Sequence, residues 1–247
     1  MRGTVVVTGG AAGLGAVIAE TLLVHGHGVL LVDREVAAAN VTASDLEARH
    51  GSPVAVIGAD LSTIAGIHAA ADALDGVPDL TALVNNAGSW SSGTQYPDAG
   101  LDAWLAALTL DLIAPMLLAQ RLWPRLATVG GAGGVVGASG GVGASGAVVN
   151  IGSSGGEGDE PYGSPEYGAA KAGLRRFTSS LGGRADVRVM AIVPGWIGLD
   201  RAHRQFDALT PEQQRAAGRL IPPQEVADRV LYLLEHGRPG EVAELLE

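Results

Sequence analysis

Short apolar runs rich in valine, leucine and isoleucine alternate along the chain with longer stretches whose apolar residues recur every three or four positions. The runs at 4–8, 28–33, 54–58, 80–85, 147–152 and 187–193 read as strands. They show little alternation of apolar with polar residues, the pattern of strands covered on both faces. Between the first two lies a helical pattern at 13–24, with Leu14, Val17, Ile18 and Leu22 on one side. Repeated strand–helix alternation predicts an α/β fold, a doubly wound parallel sheet with helices on both faces. Near the end of the chain, Pro222 and Pro223 open a helix expected over Pro223–His236 that Gly237 stops, and 241–246 reads as a short last strand. One stretch breaks the rhythm: 127–146 is nearly all Gly, Ala, Val and Ser, with no charged residue. Such a segment has little side chain to pack and much backbone entropy to lose, so a flexible surface insertion is expected there. A phosphate cradle is the alternative reading of its glycines, without a strand-to-helix junction to frame it.

The 247 residues, 47% hydrophobic and 17% charged, support one core, so 1–247 is expected to be a single domain. The absence of cysteine excludes disulfides, thiol nucleophiles and Cys-ligated zinc, and no metal site is expected. A formal charge of −10 without a basic cluster argues against nucleic acid or an anionic membrane as partner. No apolar run is expected to reach the roughly 18 residues of a membrane span. Arg2 followed by Val5, Val6 and Val7 resembles a weak signal peptide, but those valines serve better as the first strand, and a cytoplasmic enzyme is expected. Of the 16 basic residues, 15 are arginine and only one, Lys171, is lysine. In a chain that otherwise uses arginine, that position calls for a chemical reason.

Thr8-Gly9-Gly10-Ala11-Ala12-Gly13-Leu14-Gly15 follows the first strand and opens the first helix. Glycines there let the backbone approach a pyrophosphate at the helix N-terminus, where free N–H groups and the dipole favour an anion. Asp33 closes the second strand, 18 residues after Gly15. A carboxylate at that place accepts both ribose hydroxyls of an adenosine and repels a 2′-phosphate, so NAD is expected. Arg34, next to it, is the residue that would favour NADP instead.

With these elements in place, the chain resembles the short-chain dehydrogenase/reductase family, in its compact one-domain branch with a Rossmann-type fold. The resemblance covers nearly the whole chain. It rests on Thr8 to Gly15, Asp60-Leu61, Asn85-Asn86-Ala87-Gly88, Ser153, Tyr167-Gly-Ala-Ala-Lys171 and Pro194-Gly195, each at a strand end or on the following helix and all in family order. It implies that Gly9, Gly13, Leu14, Gly15 and Asp33 bind the cofactor, that Asp60 and Leu61 flank its adenine, and that Asn86, Ala87 and Gly88 line its cleft. Tyr167, Lys171, Pro194 and Ile197 complete the cofactor-binding set.

The resemblance also implies a catalytic set of Ser153, Tyr167, Lys171 and the residue at position 111. Tyr167 and Lys171, four apart on a helix, share a face. A lysine cation favours a tyrosine phenolate able to take an alcohol proton, and a compact ammonium can hold the nicotinamide ribose as well. The broad guanidinium of arginine is a poor substitute, which is a reason for the single lysine. Ser153 would polarise the substrate carbonyl. The family serine stands 13 residues before the tyrosine, the place of Ser154, but aligning on Val148-Val149-Asn150-Ile151 favours Ser153, 14 before.

Two departures stand out. Seven residues after Trp104 the family has an asparagine that holds a relay water, and here the position is Asp111. An aspartate keeps the acceptor, loses the amide donor and adds charge, so a relay with altered pH dependence is expected, with Asp111 a water or two from Lys171. After Pro194-Gly195-Trp196-Ile197, Leu199 replaces a threonine that binds the nicotinamide amide. The expected function is NAD(H)-dependent interconversion of an alcohol and a carbonyl. A non-catalytic nucleotide sensor and an NADP-dependent reductase are the alternatives. Trp90, Tyr96, Tyr162, Trp196, Leu199 and Phe206 imply an apolar small-molecule substrate under a lid at 198–219, with a helix starting near Thr210. Related subunits pair through the helices that here are 112–126 and 165–181, which implies a homodimer or homotetramer.

Overall fold

The computed structural model describes residues 2–90, 97–129, 145–158 and 162–246. Most of the insertion expected at 127–146, and Tyr96 of the expected substrate segment, lie outside the described residues.

The apolar runs form β1 (Thr4–Thr8), β2 (Gly28–Asp33), β3 (Val54–Gly58), β4 (Leu80–Asn85), β5 (Gly146–Ile151), β6 (Val187–Pro194) and β7 (Val242–Leu245). All seven start and end within one residue of the expected strands, the last trimmed by one at each end. All pair in parallel in the order β3-β2-β1-β4-β5-β6-β7. The winding reverses between β1 and β4, so the loops leaving these two strands diverge and open a crevice at their carboxyl ends.

Alternate side chains of each strand feed two cores. On one face Val5, Val7, Leu31 and Val84 meet α1 (Gly13–Val24) and α9 (Pro223–His236), through Ile18, Leu22, Val230 and Leu233. On the other, Val6, Leu30, Val32 and Leu83 meet α3 (Ile64–Leu74) and α5 (Ala114–Leu126), through Ile67, Leu74, Leu118 and Leu122. The remaining described helices are α2 (Val36–His50), α4 (Leu101–Leu108), α6 (Pro165–Ser180), α7 (Asp200–Asp207) and α8 (Pro211–Ala217). Thr210 caps α8 in a reciprocal box with Gln213, at the expected start.

Two buried polar arrangements fix the frame. Asn85 Nδ2 donates to Asn150 Oδ1 at 2.8 Å, Asn150 Nδ2 to Thr178 Oγ1 at 2.9 Å, and Thr178 Oγ1 to Leu174 O at 3.0 Å. This chain of satisfied bonds ties β4 and β5 to α6, the helix that carries Tyr167 and Lys171. At the opposite end of the sheet, buried Arg188 donates to Leu233 O, Leu234 O and Gly237 O. It neutralises the carbonyl end of α9 with a cation, as a helix C-terminus favours.

One expectation needs correction. α4, a wide π-helical turn (Thr109–Ile113) and α5 form one helix, Leu101–Leu126, of 26 residues that is long and apolar enough to cross a membrane by length and composition. Asp102, Asp111, Gln120, Arg121 and Arg125 hid this in the sequence by interrupting each apolar run. Its inner side packs on α3 and α6, while Leu101, Leu105 and Met116 stay exposed.

Candidate active site

The crevice is built first by the turn after β1. Gly9 and Gly13 adopt left-handed conformations, φ +66° and +57°. A Cβ on Gly15 would lie 2.1 Å from Gly9 O, so only glycine lets the helix start this close to the strand. Leu14 turns into the core. The N-cap of α1 is Ala12, which supplies no capping side chain, and its first turn carries no acid. Its leading N–H groups therefore point at the crevice uncapped, a cradle that fits a pyrophosphate.

Asp33 stands at the tip of β2. Its Oδ2 accepts from Ala11 N at 2.9 Å and its Oδ1 from Glu35 N at 3.0 Å. It thus braces the glycine turn, and a carboxylate has acceptor capacity left for ribose hydroxyls. Arg34 is exposed and paired with Glu35 at 3.4 Å. Asp60 accepts from Ser62 Oγ at 2.7 Å and Ser62 N at 3.0 Å, which holds its carboxyl below the usual range. The Leu61 side chain is 4% exposed and packed in the core, so its backbone is the part that can flank an adenine.

After β4, Asn86 Nδ2 donates to Thr8 O at 2.9 Å and Gly9 O at 3.1 Å, and Ala87 N donates to Thr8 Oγ1 at 3.0 Å. Asn86 therefore locks the two diverging loops together, a role that its motif position did not reveal. Gly88 presses on the next layer: a Cβ there would meet Asp111 Oδ1 at 2.6 Å and Lys171 Nζ at 3.3 Å.

Asp111 and Lys171 meet directly, which corrects the expectation of a water between them. Asp111 Oδ1 lies 3.1 Å from Lys171 Nζ, with the two side chains 0% and 5% exposed. The π-helical turn that contains Asp111 is the local cause, since one wide turn redirects side chains within a helix. Lys171 Nζ also donates to Ile151 O at 3.0 Å, and Ser89 N reaches Asp111 Oδ2 at 3.4 Å. Burial pushes the Asp111 carboxyl above the usual range, against the charge and hydrogen bond of Lys171. Burial opposes the ammonium of Lys171, but Asp111 and Tyr167 outweigh it and hold that group above its ordinary value.

Tyr167 is half-buried on α6, its ring centroid 5.6 Å from Lys171 Nζ. Ser153 Oγ accepts from Gly155 N at 3.1 Å, capping a 3₁₀ turn (Ser154–Gly156). That bond uses an acceptor site and leaves the hydroxyl proton free to be donated. Ser153 is partly buried, whereas Ser154 is exposed. Tyr162 stacks on Tyr167 with centroids 6.2 Å apart.

Beyond β6, Pro194 is buried as the last strand residue and Ile197 packs on the core. Gly198 N donates to Ile221 O at 2.8 Å and Ile221 N to Trp196 O at 2.7 Å, so the excursion between them leaves and rejoins the body at one neck. Leu199 lies 3.5 Å from where a Cβ of Gly13 would stand, directly against the glycine turn. Trp196 and Phe206 meet edge-on at 6.3 Å.

A family profile described as short chain dehydrogenase matches residues 3–209. The chain belongs to the short-chain dehydrogenase/reductase family. As a short-chain dehydrogenase/reductase it is an oxidoreductase acting on CH–OH or carbonyl groups. It is 30% identical over 251 residues to a probable galactose dehydrogenase of Rhizobium meliloti, covering 98% of this chain and 91% of the relative. Among solved structures it resembles a short-chain dehydrogenase from Sphingobium yanoikuyae in complex with NADPH, with TM-score 0.79, 27% identity, and 98% and 87% of the two chains covered. It also resembles a bulky-bulky ketone specific alcohol dehydrogenase from Comamonas testosteroni, with TM-score 0.78, 25% identity, and 98% and 85% covered.

Proposed function

We propose that this chain is an NAD(H)-dependent enzyme that interconverts a secondary alcohol and a ketone. The observation that carries the reading is the buried cation of Lys171 placed beside Tyr167 and neutralised by Asp111. In the oxidative direction Ser153 Oγ donates to the substrate oxygen and fixes it, and Tyr167 Oη takes the hydroxyl proton. The ammonium of Lys171 stabilises the phenolate that accepts this proton and binds the ribose. Asp111 holds that ammonium in place and through it tunes the relay that returns the proton to solvent. Gly9, Gly13, Gly15 and the first N–H groups of α1 hold the pyrophosphate, Asp33 the adenosine ribose, and Pro194 and Ile197 the nicotinamide side. When bound, the nicotinamide accepts or supplies the hydride. The direct test is NADH oxidation and NAD reduction over a panel of ketones and alcohols; no turnover with any of them would sink the reading.

Asp33 and the Arg34–Glu35 pair support NAD over NADP, because the adjacent Arg34 faces an acid already. Asp33→Ala is expected to narrow the preference for NADH over NADPH. The ratio of affinities is the quantity to compare by fluorescence titration, since loosening of the glycine turn weakens both cofactors alike. A wild type that prefers NADPH would contradict the assignment.

The aromatic surfaces of Trp90, Tyr162, Trp196 and Phe206 support an apolar substrate, cyclic or aromatic, under the 198–219 lid. The bulky-ketone specificity named for the Comamonas testosteroni enzyme agrees with this. Exposed Leu101, Leu105 and Met116 support pairing of two copies through α4, α5 and α6 as a homodimer or homotetramer. Sedimentation at micromolar concentration is expected to give a multiple of the 24.9 kDa subunit mass, and a single-subunit mass would exclude the assembly. A cytoplasmic location belongs to the same proposal; Val5, Val6 and Val7, the apolar residues nearest the start, form the buried centre of β1.

A further inference from the structure

We propose that Arg201 is an anchor for a carboxylate on the substrate, so that the preferred ketones have an apolar body and an anionic end. This rests on the oxidoreductase reading above and narrows its substrate class.

The placement comes from both rims of the cleft. α7 begins immediately after Leu199, which lies on the glycine turn, so the first turn of α7 stands over the crevice. Arg201 sits there with its guanidinium carbon 5.0 Å from the ring centroid of Trp90, and its Nη1 donates to Trp90 O at 3.1 Å. Trp90 follows Ser89, whose N–H reaches Asp111, and therefore belongs to the catalytic side of the loop after β4. On the other rim Tyr162 is stacked on Tyr167 and lies within the electrostatic reach of Arg201. The cation thus overlooks the mouth between two aromatic walls.

Its charge is uncompensated among the described residues. Among the described residues no carboxylate forms an ion pair with Arg201, including Asp200 and Asp207 of its own helix. Arg219, at the far end of the same excursion, is by contrast held by both oxygens of Glu225. A guanidinium presents five N–H donors in a planar fork that matches a carboxylate, and stacking on an indole holds the plane while leaving that edge open. Burial, with Tyr167 beside it, pushes the Tyr162 hydroxyl up to about 12, so it remains a neutral donor and sets no negative charge against an incoming anion. Aromatic walls for the body and a fork for the carboxylate describe one ligand.

The probes are 4-acetylbenzoate and its methyl ester, alike in shape and differing in charge. With NADH, the wild type is expected to show higher kcat/KM for the acid. Arg201→Leu should lower kcat/KM for the acid by about tenfold or more, mainly through KM, and leave the ester unchanged. Arg201→Lys, which keeps the charge without the fork, should recover part of the loss. Quenching of tryptophan fluorescence by the acid gives a binding readout independent of turnover, since Trp90 lies under the guanidinium. Arg201-dependent binding of the acid without turnover of any ketone would preserve the anchor and overturn the oxidoreductase reading. Turnover of both probes with equal loss, or no loss, in Arg201→Leu would overturn the anchor alone. No Arg201-dependent difference in either readout also overturns it.

Discussion

Tyr167→Phe is expected to lower kcat for both alcohol oxidation and ketone reduction by about 10²- to 10⁴-fold, the usual worth of a positioned acid/base group. The ring stays, so its stacking with Tyr162 and its contact with Lys171 are retained. The residue is only half-buried and its hydroxyl makes no hydrogen bond among the described residues, so stability should change by no more than about 0.5 kcal/mol. NADH affinity, read by fluorescence, should fall far less than kcat, since Lys171, the glycine turn and Asp33 stay in place. That separation of turnover from folding and cofactor binding is the point of the variant. Retention of kcat within tenfold of the wild type would remove Tyr167 from the proton transfer.

Lys171 should show the opposite profile, with folding and turnover failing together. In Lys171→Met the fully buried Asp111 loses its counterion, and breaking such a pair from one side costs about 3–5 kcal/mol. Burial already raises the Asp111 carboxyl, and without the lysine Ser89 N is what remains among the described residues to oppose that. A group whose folded value is raised stabilises the fold below the ordinary carboxylate range and loses that contribution as pH rises through the raised value. The Lys171→Met penalty should therefore be smallest in acid and grow toward neutral pH. Lys171→Met combined with Asp111→Asn removes both charges and should recover most of the melting temperature but none of the activity. Lys171→Arg should lose most activity, because the guanidinium cannot reproduce the compact contacts to ribose and tyrosine. Asp111→Asn alone leaves a net positive charge beside Tyr167, so the onset of alcohol oxidation should move to lower pH by about one unit. The pH profile of kcat/KM and the melting curves of these variants decide the matter. An unshifted onset in Asp111→Asn would take Asp111 out of the relay, and a double variant no more stable than Lys171→Met would deny the ion pair its role in folding.

The strands were legible because buried parallel strands are written as unbroken apolar runs, and the turn after β1 because glycine has few other reasons to recur at a strand-to-helix junction. Lys171 was legible as the single exception to a preference for arginine. What composition and spacing conceal is direction. Nothing in the order of residues shows that a π-helical turn would swing Asp111 into contact with Lys171. Nor does it show that the Asn86 amide bonds to the turn after β1, or that the Leu61 side chain is buried in the core. The links from Asn85 to Asn150 and Thr178, and from Arg188 to the end of α9, join segments dozens of residues apart. Such pairs become visible only when the sheet has brought them together.

The neck at Ile197 and Ile221 has a consequence for the history of this chain. Because the excursion departs and returns through two adjacent hydrogen bonds, its ends are as close as neighbouring strands. An insertion closed at its base can be lengthened, shortened or replaced at little entropic cost and without disturbing the sheet. Trp196, Arg201 and Phe206 belong to or border this replaceable cassette, whereas Tyr167, Lys171 and the glycine turn belong to the permanent frame. Diet and chemistry can therefore diversify at different rates: two descendants of one ancestor can retain the same frame while exchanging the Trp196, Arg201 and Phe206 side of the proposed substrate site. Resemblance along the frame is a record of shared chemistry, and the cassette must be read separately to learn what each lineage uses it for.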